Sequence, residues 1–161
     1  MAYQKLQVSN GLAVIPSATV RIPNPDTQVL TGVADFSVAG TLTDVGTTFL
    51  SAGIEQGAII YNTTDSVAYY INAVTDDLNL AITSIAGGGA ASNYVIYNEA
   101  TVGCILFVGV KGDIVIQLAQ QNGSGITTEL TFKGIAAGAF LPTQAVRVAA
   151  TTTSTDIIAL W

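Results

Sequence analysis

The chain has 161 residues, half of them hydrophobic and only 10% charged, with a formal net charge of −6 and no histidine. That length allows one ordinary domain or two small ones. The missing imidazole removes Ser-His-Asp and Cys-His nucleophile systems and His-ligated zinc or iron. Nucleic acid is disfavoured as a partner, because phosphate contact needs clustered cations, and Lys5, Arg21, Lys111, Lys133 and Arg147 are scattered singly.

The charged fraction lies well below the roughly one quarter of an ordinary domain, and the surplus apolar surface points to subunit contacts. No apolar run approaches the ~18 residues that span a bilayer, so no membrane association is expected. Met1 to Lys5 does not open a basic-then-apolar leader, so no secretory signal is expected either. Cys104 is the single cysteine and excludes an internal disulfide. Its apolar surroundings predict a small buried hydrophobe.

Along residues 1–33, Leu6, Val8 and Leu12 to Ile15 surround a turn signal at Ser9-Asn10-Gly11. Val20 and Ile22 flank Arg21, and Pro23-Asn24-Pro25-Asp26 is a stiff connection, since each proline fixes φ and removes a donor. Two short strands and a rigid loop are expected.

Residues 34–97 differ in charge. They hold Asp35, Asp44, Glu55, Asp65, Asp76 and Asp77 and no basic residue. The remainder balances five acidic against five basic side chains. Such a step suggests an inserted module with its own surface. A loop runs from Asp44 to Gly57, with room for one helical turn. Strands are expected at Ala58 to Tyr61, Val67 to Val74, Leu78 to Ile82 and Tyr94 to Tyr97, with turns at Asn62 to Asp65 and Thr75 to Asp77 and a flexible loop at Gly87-Gly88-Gly89. Along Val67 to Val74, Tyr69, Ile71 and Ala73 share one face, and Tyr70, Asn72 and Val74 the other. Short strands with tight turns in about sixty residues suit a small barrel.

Residues 98–161 resume the first domain. Cys104 to Val108 is nearly continuous in apolar side chains, as a strand buried on both faces is. Gly109 and Gly112 bracket a tight turn. Ile114, Ile116 and Leu118 alternate with Val115 and Gln117. Gln121 to Gly125 reads as a loop. Leu130 to Ile135, Val146 to Val148 and Asp156 to Trp161 carry the remaining strand signals. The Thr151 to Thr155 run is a loop or an exposed strand edge able to accept a partner strand.

The chemistry of a site is sparse. Asp76-Asp77 with Asn79 lacks the spacing and distal Glu of a calcium loop and reads better as a solvated turn. Gly87-Gly88-Gly89 lacks the Lys-Ser/Thr pair of a phosphate cradle. Tyr61, Tyr69, Tyr70, Tyr94 and Tyr97 read first as β-formers packed on strands, and second as a glycan or peptide surface. No catalytic residue, cofactor site or metal site is offered, and an enzyme is not expected.

The succession Gly112-Asp113, Gly138 to Pro142, Val146 to Val148 and the Thr-rich run from Thr151 to Trp161, with Ile15 to Ser17 near the start, resembles small structural proteins of tailed-phage virions, in particular the head-spike base proteins of gene transfer agents and marine phages. The likeness covers about the last third of the chain. It is a pattern of strands and turns rather than of reactive groups. It implies a virion protein on the capsid surface, made in the host cytoplasm, in a five-fold arrangement at capsid vertices; the sequence alone leaves pentamer and trimer open.

The expected fold is therefore all-β: an antiparallel β-sandwich, with a jelly roll as one form of it, carrying an inserted small β-barrel. Residues 1–33 and 98–161 form the base and residues 34–97 the insert. The expected function is a non-enzymatic head-spike or fibre base or decoration protein, with the major capsid protein and a spike or fibre protein as partners. The alternatives are a cement protein between capsomers and a receptor- or glycan-binding module. Arg147, Thr151, Thr152, Thr153, Ile157, Ile158, Leu160 and Trp161 are the expected interface. Tyr69, Tyr70, Asp76 and Asp77 are the expected recognition surface of the insert.

Overall fold

The computed structural model describes residues 8–83, 88–119 and 129–161. The expected loop at 121–125, Leu6 and Gly87 lie outside these residues. The chain is all-β and antiparallel, as its class predicts, with two six-stranded sheets. It divides into two compact units, Met1–Val14 with Val102–Trp161, and Ile15–Thr101; they are called base and barrel below.

The base holds β1 (Gly11–Ala13), β8 (Cys104–Val108), β9 (Gly112–Leu118), β10 (Leu130–Ile135), β11 (Phe140–Val148) and β12 (Ile157–Leu160), in the order β1-β12-β8-β11-β9-β10. The side-chain period of two divides this sheet cleanly. Cys104, Leu106 and Val108 point inward from β8, with Ile157 and Ala159 opposite them on β12. Cys104 to Val108 is therefore buried on one face and only partly covered on the other, not sequestered on both as its apolar run suggested.

Close backbone approach explains the two glycines before Asp113. A Cβ on Gly109 would lie 2.6 Å from the Asp156 Cβ, and one on Gly112 would lie 2.5 Å from the Ser154 nitrogen. Any side chain there would displace the segment that leads into β12.

The barrel holds β2 (Gln28–Ala34), β3 (Thr41–Thr43), β4 (Ile59–Asn62), β5 (Val67–Val74), β6 (Asn79–Ile82) and β7 (Ser92–Tyr97), in the order β2-β7-β4-β5-β6-β3. Asp35, just beyond β2, forms a bridge with Thr43 of β3 through backbone bonds of 2.8 and 3.0 Å, which joins the first and last strands. Phe36, Leu42, Phe49, Ile60, Tyr69, Ile71, Leu80, Tyr94 and Ile96 belong to its core.

The boundary between units corrects the expected one. Residues 15–33 and 98–101 belong to the barrel, not the base. The physical reason is pairing. β2 runs along β7 from Gln28 opposite Tyr97 to Ala34 opposite Ser92. Upstream, Asn24 N–H donates to Glu99 O, Thr101 N–H to Ile22 O and Asn98 N–H to Thr27 O. The entering and leaving chains are thus stitched together before they part at Val14 and Val102. The stiff Pro23 to Asp26 connection closes with one 3-10 turn, Pro25–Thr27, capped by the Asn24 side chain.

Candidate functional site

Direct pairs across an antiparallel ladder share a face, so the register defines the outer face of the base sheet. Ala13 pairs Ile158, Ile158 pairs Phe107, and Phe107 pairs Phe140. One apolar row thus crosses β1, β12, β8 and β11. The next row is Gly11, Leu160 and Ile105. Phe140 remains 59% exposed and Ile158 36%, and the Phe107 and Phe140 rings lie 5.2 Å apart, tilted by 59°. Isolated exposed hydrophobics are ordinary; this row is contiguous across four strands, which makes it the candidate contact surface.

The expected interface residues separate on the structure. Ile158 and Leu160 lie in these rows, and Trp161 is half-buried beside them. Ile157 is buried in the core face. Arg147 is also buried: its Nη2 pairs with Glu129 at 2.8 Å and its Nε donates to the Gln117 Oε1 at 3.2 Å. Neither presents a surface in this structure. The threonine run is not a free strand edge. Thr153 Oγ1 accepts from Asp113 N–H at 2.8 Å and Thr152 Oγ1 accepts from Val115 N–H at 3.0 Å, while Thr153 and Ser154 N–H both donate to Asp113 O. The run lies along β9, with Ser154 buried, Thr152 half-buried and Thr151, Thr153 and Thr155 exposed. Phe107 and Phe140 were not among the expected residues; the alternation of Ile105 and Phe107 along β8 carried a local signal, whereas Phe140 joins them only by pairing with Phe107.

The actual sheet edges are guarded. β1 has three residues. β10 has a register irregularity between Phe132 and Ile135, with Lys133 and positive-φ Gly134 inside it. Short, bulged and charged edges discourage strand addition. Gly134 N–H also donates to the Asp113 carboxylate at 2.7 Å, which fixes the bulge.

A hollow of about 190 Å³ at the end of this sheet is lined by Val8, Cys104, Ile105, Leu160 and Trp161, with Gly103 and Gln144. Burial pushes the Cys104 thiol up to about 12, away from the thiolate form that acts as a nucleophile, and the thiol donates to Ala145 O at 3.2 Å.

In the barrel the expected recognition surface is also divided. Tyr69 is buried and stacks on Phe36 at 5.5 Å. It belongs to the core because its face of β5 points into the barrel. Tyr70 is partly exposed, and its hydroxyl accepts from Arg21 N–H at 3.0 Å. Asp76 and Asp77 are exposed, and Asp76 accepts from Leu78 N–H and from the Asn79 amide, as a self-contained turn. Among the described residues no group of three or more His, Cys, Asp or Glu could hold a metal ion, and no helix is long and apolar enough to cross a membrane.

Two polar networks hold the barrel. Tyr94 donates to Asp44 Oδ2 at 2.7 Å inside the core. Burial first, then this bond and the carboxylate charge, push the Tyr94 hydroxyl above its ordinary range. Asp65 Oδ2 accepts from Ser92 Oγ, Asn62 Nδ2 and Gly89 N–H, which lowers its carboxyl below the ordinary value, the Ser92 bond contributing most.

Charge is segregated between the units. The barrel sequence has eight acidic residues and one basic, a net −7; the base sequence has three acidic and four basic, a net +1. Comparison with known protein families, with curated proteins and with solved structures finds no match.

Proposed function

We propose that the chain is a non-enzymatic structural protein of a tailed-phage virion, attached to the capsid through its base as a head-spike or fibre base or a decoration protein. The observation that carries the reading is the uncharged row Ala13-Ile158-Phe107-Phe140, a sheet face of adhesive chemistry on a nearly neutral unit. The strand-and-turn likeness of the closing third supplies the virion context. Its glycines gain a physical meaning in the base, where Gly109 and Gly112 admit the segment before β12. The acidic barrel then serves as the displayed part, its net charge keeping free chains from associating through it.

The mechanism is burial. Apolar area removed from water contributes about 25 cal/mol per Å², and a symmetric platform multiplies a modest contact. The partners on this reading are the major capsid protein and a spike or fibre protein. Reconstruction of particles that contain the chain tests it. Density for the base against capsid subunits supports the proposal, with vertex positions favouring a spike base and positions between capsomers a cement protein. Density for the chain that touches no capsid subunit contradicts it.

A further inference from the structure

The geometry points to a docking surface on the barrel for a protein segment that carries apolar side chains beside lysine or arginine. It lies on the paired loops 44–50 and 75–78, within the barrel unit and apart from the sheet face of the base. It does not depend on the virion reading.

Two backbone bonds lay these loops side by side. Asp44 N–H donates to Leu78 O and Phe49 N–H to Asp77 O, both at 2.9 Å. Phe49 is fully buried in the barrel core and pins the first loop. Asp76 pins the second, because its carboxylate accepts from Leu78 N–H at 2.8 Å and from the Asn79 amide at 2.9 Å. The surface is therefore formed before any partner arrives, and binding entails little ordering of it.

Three large apolar side chains stand out of this pinned backbone. Val45 is 84% exposed, Leu50 62% and Leu78 40%. One such residue is ordinary; three on two bonded loops form an apolar patch of the kind that contact sites use.

Charge decides the occupant. Asp76 and Asp77 are exposed on the second loop. Asp35 adds a third carboxylate through its bridge to Thr43, the residue before Asp44. No lysine or arginine occurs between residues 22 and 110. Arg21, the one basic residue of the barrel, is held at Tyr70, and the five strand residues from there to Thr75 cover about 16 Å. Carboxylates without a nearby cation repel an anionic surface and attract a cationic one. A metal ion does not fit, since among the described residues no group of three or more His, Cys, Asp or Glu could hold one. A membrane is disfavoured, because anionic lipid repels the same carboxylates. The complement is a polypeptide whose leucine- or valine-sized side chains are flanked by Lys or Arg.

A short dye-labelled peptide of alternating lysine and leucine is the probe, read by fluorescence anisotropy on the full chain. The native chain binds it at low salt. Replacing its lysines by glutamate, or its leucines by serine, weakens binding by at least about tenfold, and raising salt from ~0.05 M to ~0.5 M weakens it as well. In the chain, Val45→Ser, Leu50→Ser and Asp77→Asn together weaken binding by at least about tenfold, and each alone by less. All three positions are exposed, so circular dichroism and the melting midpoint stay those of the native chain. Phe140→Asp on the base leaves binding unchanged. A native chain that ignores the lysine-leucine peptide overturns the inference. Equal binding of the lysine-serine peptide, indifference to the triple variant, or capture of phosphatidylcholine vesicles in place of the peptide also overturns it. A chain that binds the peptide but no capsid leaves it standing and removes the virion reading; a chain that binds capsids but not the peptide does the reverse.

Discussion

Phe107 and Leu106 are neighbours in the chain with opposite fates: Leu106 is fully buried in the base core, and Phe107 turns outward to meet Phe140 across the ladder. The same strand thus separates side chains that hold the unit together from side chains on its outer face. Leu106→Ala removes core contacts and leaves a cavity, at about 2–5 kcal/mol. Phe140→Ala removes an exposed ring and costs well under about 1 kcal/mol. Denaturant titration of the two variants checks the contrast; a large loss from Phe140→Ala contradicts the assignment of faces.

Tyr94 and Asp44 hold the barrel interior. Tyr94→Phe deprives a buried carboxylate of one donor and costs about 1–3 kcal/mol, although Asp44 Oδ1 keeps the Gly46 N–H at 2.7 Å. A pH dependence accompanies it. The folded-state value of Tyr94 is raised, so its contribution is full below the unfolded value of 10.0 and is lost as pH rises beyond that. Barrel stability falls above about pH 10, and less steeply in Tyr94→Phe. Melting curves at alkaline pH measure both slopes.

Asp65 acts with the opposite sign. Its folded-state value is lowered below 3.8, so its contribution is present above that value and is lost as pH falls through the depressed one. Asp65→Asn is less stable than the native chain at neutral pH, and the difference narrows in strong acid. Denaturation midpoints of the two proteins along an acid series test this.

Gly32 lies where the barrel leaves no room. An added Cβ would come within 2.7 Å of Asp44 Oδ2 and 2.8 Å of the Tyr94 hydroxyl. Gly32→Ala therefore costs about 1–3 kcal/mol by overpacking, more than a β-propensity gain returns. An unchanged melting midpoint contradicts the packing.

Much of the fold was legible locally. The Val67 to Val74 alternation became β5 with the same bounds, and the acidic segment lies within the larger unit Ile15–Thr101. The boundary was not legible, because Arg21 and Asp26 cancel and hide the charge step before residue 34, and because β2 exposes Val29 and Val33 while burying Ala34. Its membership depends on pairing with β7, some sixty residues away, which no local pattern encodes. Tyr69 and Tyr70 show the same limit: alternation puts them on opposite faces, and only barrel closure says which is inside. The bonds that hold the threonine run were not legible, because its partners, Asp113 and Val115, are 37 to 40 residues distant.

The proposed adhesion by the outer face of the base is tested most directly by co-sedimentation with heads assembled from a tailed-phage major capsid protein. The native chain pellets with the heads, Phe140→Asp stays largely in the supernatant, and Tyr70→Ala on the barrel pellets as the native chain does. A native chain that remains in the supernatant, or a Phe140→Asp chain that pellets equally, contradicts the account.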